Sequence, residues 1–136
     1  MPTAVKAPVV LVQANIRNMI MGVLKHFFPE DLGFGIWDPE IGAPLGNELN
    51  AQFDIVVPHA LLTPEQVKSE VEIDEWLGAK FNDDTFTQIL HAAFPDFVRL
   101  DEKEFRQAVR VRAPKGFVVR RIYVRLVFKE HVDISE

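Results

Sequence analysis

The chain has 136 residues, 48% of them hydrophobic and 26% charged, with a formal net charge of -5 and no cysteine. That length and composition predict one globular domain with its own core and argue against disorder across the chain. Without cysteine there is no disulfide, thiolate metal site or cysteine nucleophile.

Apolar residues from Val9 to Phe28 (Val9, Val12, Ile16, Met19, Ile20, Val23, Leu24, Phe27, Phe28) return every three or four positions, which predicts an amphipathic helix ended by Pro29. Residues 1–8 are expected to form a flexible arm. The apolar run Val9–Val12 is too short for a signal segment or a membrane span. The expectation is therefore a soluble protein, cytoplasmic or within an assembled particle.

Between Pro29 and Pro58, glycine and proline bracket two strand-like runs, "FGIW" and "FDIVV", and a loop over residues 38–51 is expected to join them. In that loop Ile41, Leu45 and Leu49 alternate with turn formers. They suit either a docking arm on a neighbouring chain or a loop folded onto its own domain.

"TPEQ" at 63–66 has the residues of a capping box, Thr63 at the N-cap and Gln66 three positions later, and predicts a helix reaching Phe81. Over 67–73 the positions Val67, Val71 and Ile73 fit a strand almost as well. Thr85 and Gln88 repeat the capping spacing before the stripe Phe86, Ile89, Leu90, Ala93, Phe94, a second helix closed by Pro95. From Val98 the pattern alternates over two runs joined by "APKG", a β-hairpin, with residues 130–136 expected to fray.

Charge is divided along the chain. Residues 1–97 hold five basic against fourteen acidic residues, a balance of -9, and residues 98–136 hold ten against six, a balance of +4. On the hairpin, Phe105, Val109, Val111, Val118, Ile122, Val124, Leu126 and Phe128 lie on one face by parity. Arg106, Arg110, Arg112, Arg121, Tyr123, Arg125 and Lys129 lie on the other. For both apolar sets to share the core, the connection between paired positions must hold an even number of residues. Arg120 falls on the apolar face and is expected near the turn, its head reaching solvent.

Such an arginine face has three readings: a solvated sheet face with carboxylates on neighbouring elements, contact with an acidic protein surface, or a grip on nucleic-acid phosphates with Tyr123 stacking a base. The acidic cluster Glu70, Glu72, Asp74 and Glu75 is the natural complement in a second copy, which makes head-to-tail self-association the leading expectation. No glycine-rich phosphate loop and no paired histidine motif is present. His131 and Asp133 form at most a weak metal pair, so neither metal nor cofactor is expected. Asp84, Gln88 and His91 on one helix face are the one arrangement suited to acid–base chemistry, and His59, beside a helix start, is placed to line a cleft.

The predicted fold is a single α+β domain over residues 1–136: helix, two strands, two helices, hairpin, with a mostly antiparallel sheet covered by helices on one face. The order of these elements resembles that of small ring-forming proteins of phage and contractile-tail assemblies. The resemblance is one of topology, rests on no residue motif, and implies a structural subunit that forms a ring or stack. The expected function is non-enzymatic assembly through the basic hairpin face, with a nucleic-acid-binding module and a small Asp/His enzyme as the alternatives.

Overall fold

A computed structural model of the chain describes residues 7–109 and 111–136, and the backbone alone of Asp38. Its elements are β1 (Val9–Val12), α1 (Gln13–Phe27), β2 (Gly35–Ile41), β3 (Glu48–Pro58), α2 (Pro64–Lys68), α3 (Glu70–Lys80), α4 (Asp83–Ala93), β4 (Phe97–Gln107), β5 (Phe117–Phe128) and β6 (Val132–Ser135). Strands β2, β3, β5 and β4 form, in that spatial order, a four-stranded antiparallel sheet. Helices pack on one of its faces, so the α+β class holds.

The long central strands build the core by alternation. Leu49, Ala51, Phe53, Ile55 and Val57 of β3 and Ile122, Val124, Leu126 and Phe128 of β5 turn inward and are buried. They meet Ile16, Ile20, Val23, Leu24 and Phe27 of α1, Ile73 and Leu77 of α3, and Phe86 and Leu90 of α4 in one cluster. Phe81, in the two-residue joint between α3 and α4, fits between Phe27 and Phe86 at ring separations of 4.9 and 5.3 Å.

The chain termini depart most from expectation. Val9–Val12 is a strand that pairs in parallel with Val132–Ser135, in the register Val9 with Val132, and α1 begins only at Gln13. Three β-branched valines in four residues suit a strand, but the partner lies at the other end of the chain, out of reach of any local pattern. The tail expected to fray is thus an ordered strand, with Val132 buried beside Leu11. Of the expected arm, residues 1–6 lie outside the described residues.

The long loop also shortens. Strand β2 runs on to Ile41 and β3 starts at Glu48, leaving residues 42–47 as the connection. Leu49 is a core residue and Ile41 packs against the core, so of the three apolar residues expected on a docking arm only Leu45 stays exposed.

The capping box at Thr63 is present: Thr63 Oγ1 accepts from the Gln66 amide at 3.2 Å and Gln66 Oε1 accepts from the Thr63 amide at 2.8 Å. The helix nevertheless breaks at Ser69, whose hydroxyl accepts from the Glu72 amide at 3.3 Å and caps a new helix. Residues 67–73 are therefore helical on both sides of Ser69, and Val71, which a strand reading would turn inward, is exposed. The second box is absent. Asn82 caps α4 by accepting from the Thr85 amide at 2.9 Å, which makes Thr85 the third helical residue.

Phe105 stands opposite Ile122, with an even number of residues between them, so the hairpin parity is as expected. The connection is wider than a tight turn. Strand β4 stops at Gln107, and the bend before β5 runs from Pro114 to Phe117, closed by a 3.1 Å bond from the Phe117 amide, with Gly116 at φ 85° as the third residue of a type II turn. Beyond Gln107 the expected alternation lapses: Val109 is exposed and Arg112 lies in the connection.

Candidate protein interface

The face of the sheet turned away from the helices carries the arginines. Register places Arg121 opposite Asp54, Tyr123 opposite Gln52 and Arg125 opposite Asn50 on one side of β5, and Arg106, Glu104 and Glu102 opposite the same three residues on the other. A bulge between Leu100 and Glu102 flips the parity of β4, which turns Leu100 inward and Glu102 and Glu104 outward.

Arg106, Arg121 and Arg125 on this face each meet a carboxylate of their own sheet. Arg121 binds Asp54 through two nitrogens at 2.8 and 3.1 Å. Arg125 reaches Glu102 at 3.1 Å and Asp101 at 3.8 Å, and Arg106 bonds Glu104 at 2.9 Å. The Arg106 guanidinium also lies 4.2 Å from the centre of the Tyr123 ring, a cation–π stack, while the Tyr123 hydroxyl donates to Asn50 at 2.8 Å. The hydrogen bond from Arg106 holds the Glu104 carboxyl below its ordinary range against the opposing effect of desolvation, and the same bond raises Arg106.

The hairpin face is therefore a lattice of ion pairs and not a bare cationic surface. Lys129 and Arg112 are exposed at its ends, and Arg110 lies outside the described residues. The partners Asp54, Glu102 and Glu104 were not among the sequence candidates. Their signal was present in the parity of "EKEFR", which puts Glu102, Glu104 and Arg106 on one face, and in Asp54, which alternates with Phe53 and Ile55.

Trp37 stands opposite Asp54 on β2, so the buried carboxylate sits in the ladder between an indole and a guanidinium. Beside Tyr123 the face dips into a hollow of about 130 Å³ lined by Glu40, Gly42, Asn50 and Gln52. That is close to the volume that holds a benzene-sized group.

Arg120 does not reach solvent as expected. It is buried on the helix side of the sheet, with Nε and one terminal nitrogen on the two oxygens of Asp74 at 2.8 and 2.7 Å and the other terminal nitrogen 3.3 Å from Glu70. Two of the four acidic cluster residues thus serve their own chain. Glu72 and Glu75 remain exposed on α3, the helix that packs through Ile73 and Leu77 on the sheet face opposite the arginines.

Asp84 and His91 are not brought together. Seven residues apart on α4, they are separated by about 10 Å of helix rise, and the His91 Nδ1 lies 2.9 Å from the Phe97 carbonyl. Neither lines a described cavity. His59 does line one, a cleft of about 430 Å³ beneath the connection from β4 to β5 that also holds Lys68, Phe117 and Arg120. Among the described residues no group of three or more His, Asp or Glu side chains could hold a metal ion, and no helix is long and apolar enough to cross a membrane. Comparison with known proteins found no matching family model, curated protein or solved structure.

Proposed function

We propose that the protein is a non-enzymatic assembly subunit that stacks head to tail, the uncovered sheet face of one copy meeting the exposed acidic side of α3, Glu72 and Glu75, in the next. The observation that carries this reading is the opposition of the two surfaces across a two-layer molecule: such heterologous contacts propagate as rings or stacks. The composition of the uncovered face supports it, because Trp37, Tyr123 and the arginines 106, 121 and 125 are the residue types that anchor protein interfaces.

The arginines are already paired, and that shapes the energetics. Arg106 and Arg125 are 43% and 35% exposed and their partners Glu104 and Glu102 are 48% and 38% exposed. Ion pairs at such exposure contribute roughly 0 to 1 kcal/mol. A neighbour's carboxylates can replace them at small cost, whereas the buried pair of Arg121 and Asp54 stays closed and holds the face rigid.

Light scattering of the full chain across a salt series tests the reading. The expected result is an assembly at low salt that shrinks as salt rises. A species of unchanged size throughout overturns it.

A further inference from the structure

Among the described residues four strands, β2, β4, β1 and β6, have an edge that no strand pairs, and that of β6 carries Asp133 and gives its Val132 amide to the Gly46 carbonyl at 2.9 Å. Strand β2 carries Pro39 and a register shift between Trp37 and Glu40. Strand β4 carries six charged residues in eleven and two register shifts. Proline, charge and bulges are the devices that keep an edge from pairing with another chain. Strand β1, "VVLV", has none of them, and its outward side chains Val10 and Val12 are 62% and 39% exposed.

The backbone of β1 is also half used. Val9 donates its amide to the His131 carbonyl at 2.7 Å. By the alternation of a strand, Val10 and Val12 then turn their backbone groups to the opposite edge. Among the described residues no strand pairs with that edge, and a two-stranded sheet is marginal by itself.

We infer that β1 pairs antiparallel with β1 of a second copy across a two-fold axis, in the register Val10 opposite Val10. Each Val10 amide then donates to the other Val10 carbonyl, and each Val12 amide donates to the Pro8 carbonyl of the second copy. The two groups this register leaves out are ones that cannot or need not join it. Pro8 has no amide hydrogen, and the Val12 carbonyl, at the N-cap of α1, already accepts the first helical bond. The strand is uncharged, so no like charges face each other, and Val10 and Val12 come together on one side of a sheet in the order β6, β1, β1, β6.

This contact is independent of the proposed stack: it is apolar and backbone-mediated, and salt leaves it intact. Sedimentation at high salt, where the charge-based stack is screened, isolates it. The full chain should be a dimer across the micromolar range, and Val10→Lys, which sets two lysines against each other at the axis, should weaken the dimer about tenfold or more. Val10→Thr should leave it intact. Amide exchange on the unaltered chain gives a second readout, with Val10 and Val12 amides gaining protection as concentration rises. A high-salt monomer at near-millimolar protein, a dimer indifferent to Val10→Lys, or Val10 and Val12 amides that stay unprotected at every concentration each overturns the inference.

Discussion

Asp54 on β3 stands directly opposite Arg121 on β5 and accepts two hydrogen bonds from it, at 2.8 and 3.1 Å, while exposing none of its own surface on a sheet face that no described helix covers. A buried carboxylate is costly unless its oxygens are satisfied, and removal of its partner is what reveals that cost. Arg121→Met should therefore destabilise the protein by about 3 to 5 kcal/mol in urea unfolding. Arg121→Lys, which keeps the charge but not the planar fork, should cost less.

The second arginine pair sits on the other side of the sheet. Arg120 ties β5 to α3 through Asp74, at 2.8 and 2.7 Å. Arg120→Leu alone should be strongly destabilising, because Asp74 loses both donors. Arg120→Leu combined with Asp74→Leu should recover most of that loss, since an apolar pair of similar volume often replaces a buried ion pair at little cost. A double-mutant cycle by denaturant unfolding checks both statements.

Glu104 gives a pH-dependent signal. Its carboxyl is lowered mainly by the hydrogen bond from Arg106. A carboxylate lowered by folding adds stability above its ordinary range and loses it as the pH falls through the lowered value. In Arg106→Met the Glu104 carboxyl should titrate at higher pH than in the unaltered protein, observed by NMR at its own side chain. The group is exposed, so global stability should barely move.

Much of this was legible in the residues. Period-two alternation located β4 and β5, the glycine and proline around "FDIVV" located the second half of β3, and the 3.6-residue stripes located α1 and α4. The parity argument correctly put Phe105 and Ile122 on one face of the hairpin. What the residues could not disclose was non-local. Val9–Val12 reads equally as the first turn of a helix until β6 supplies its partner, and Arg120 reads as stray until α3 brings Asp74 to it. The face around Tyr123 looked cationic because its carboxylates arrive from β3, from "DEKE" of β4, and through a bulge that reverses parity.

Capping explains a smaller miss, and it can be measured. Asn82, the residue just past the helix expected to reach Phe81, begins the next helix by accepting from the Thr85 amide at 2.9 Å. Asn82→Ala should cost about 1 kcal/mol, while Thr85→Ala, at a position that caps nothing, should cost less in the same unfolding experiment.

The most direct test of head-to-tail assembly is a charge exchange between its two proposed surfaces, followed by sedimentation velocity at low salt. Arg106→Glu with Arg125→Glu should reduce the assembly to its high-salt species, and an equimolar mixture of that variant with one carrying Glu72→Arg and Glu75→Arg should associate again. If the arginine variant keeps its full low-salt size, or if the mixture fails to associate, the uncovered sheet face is not the docking surface.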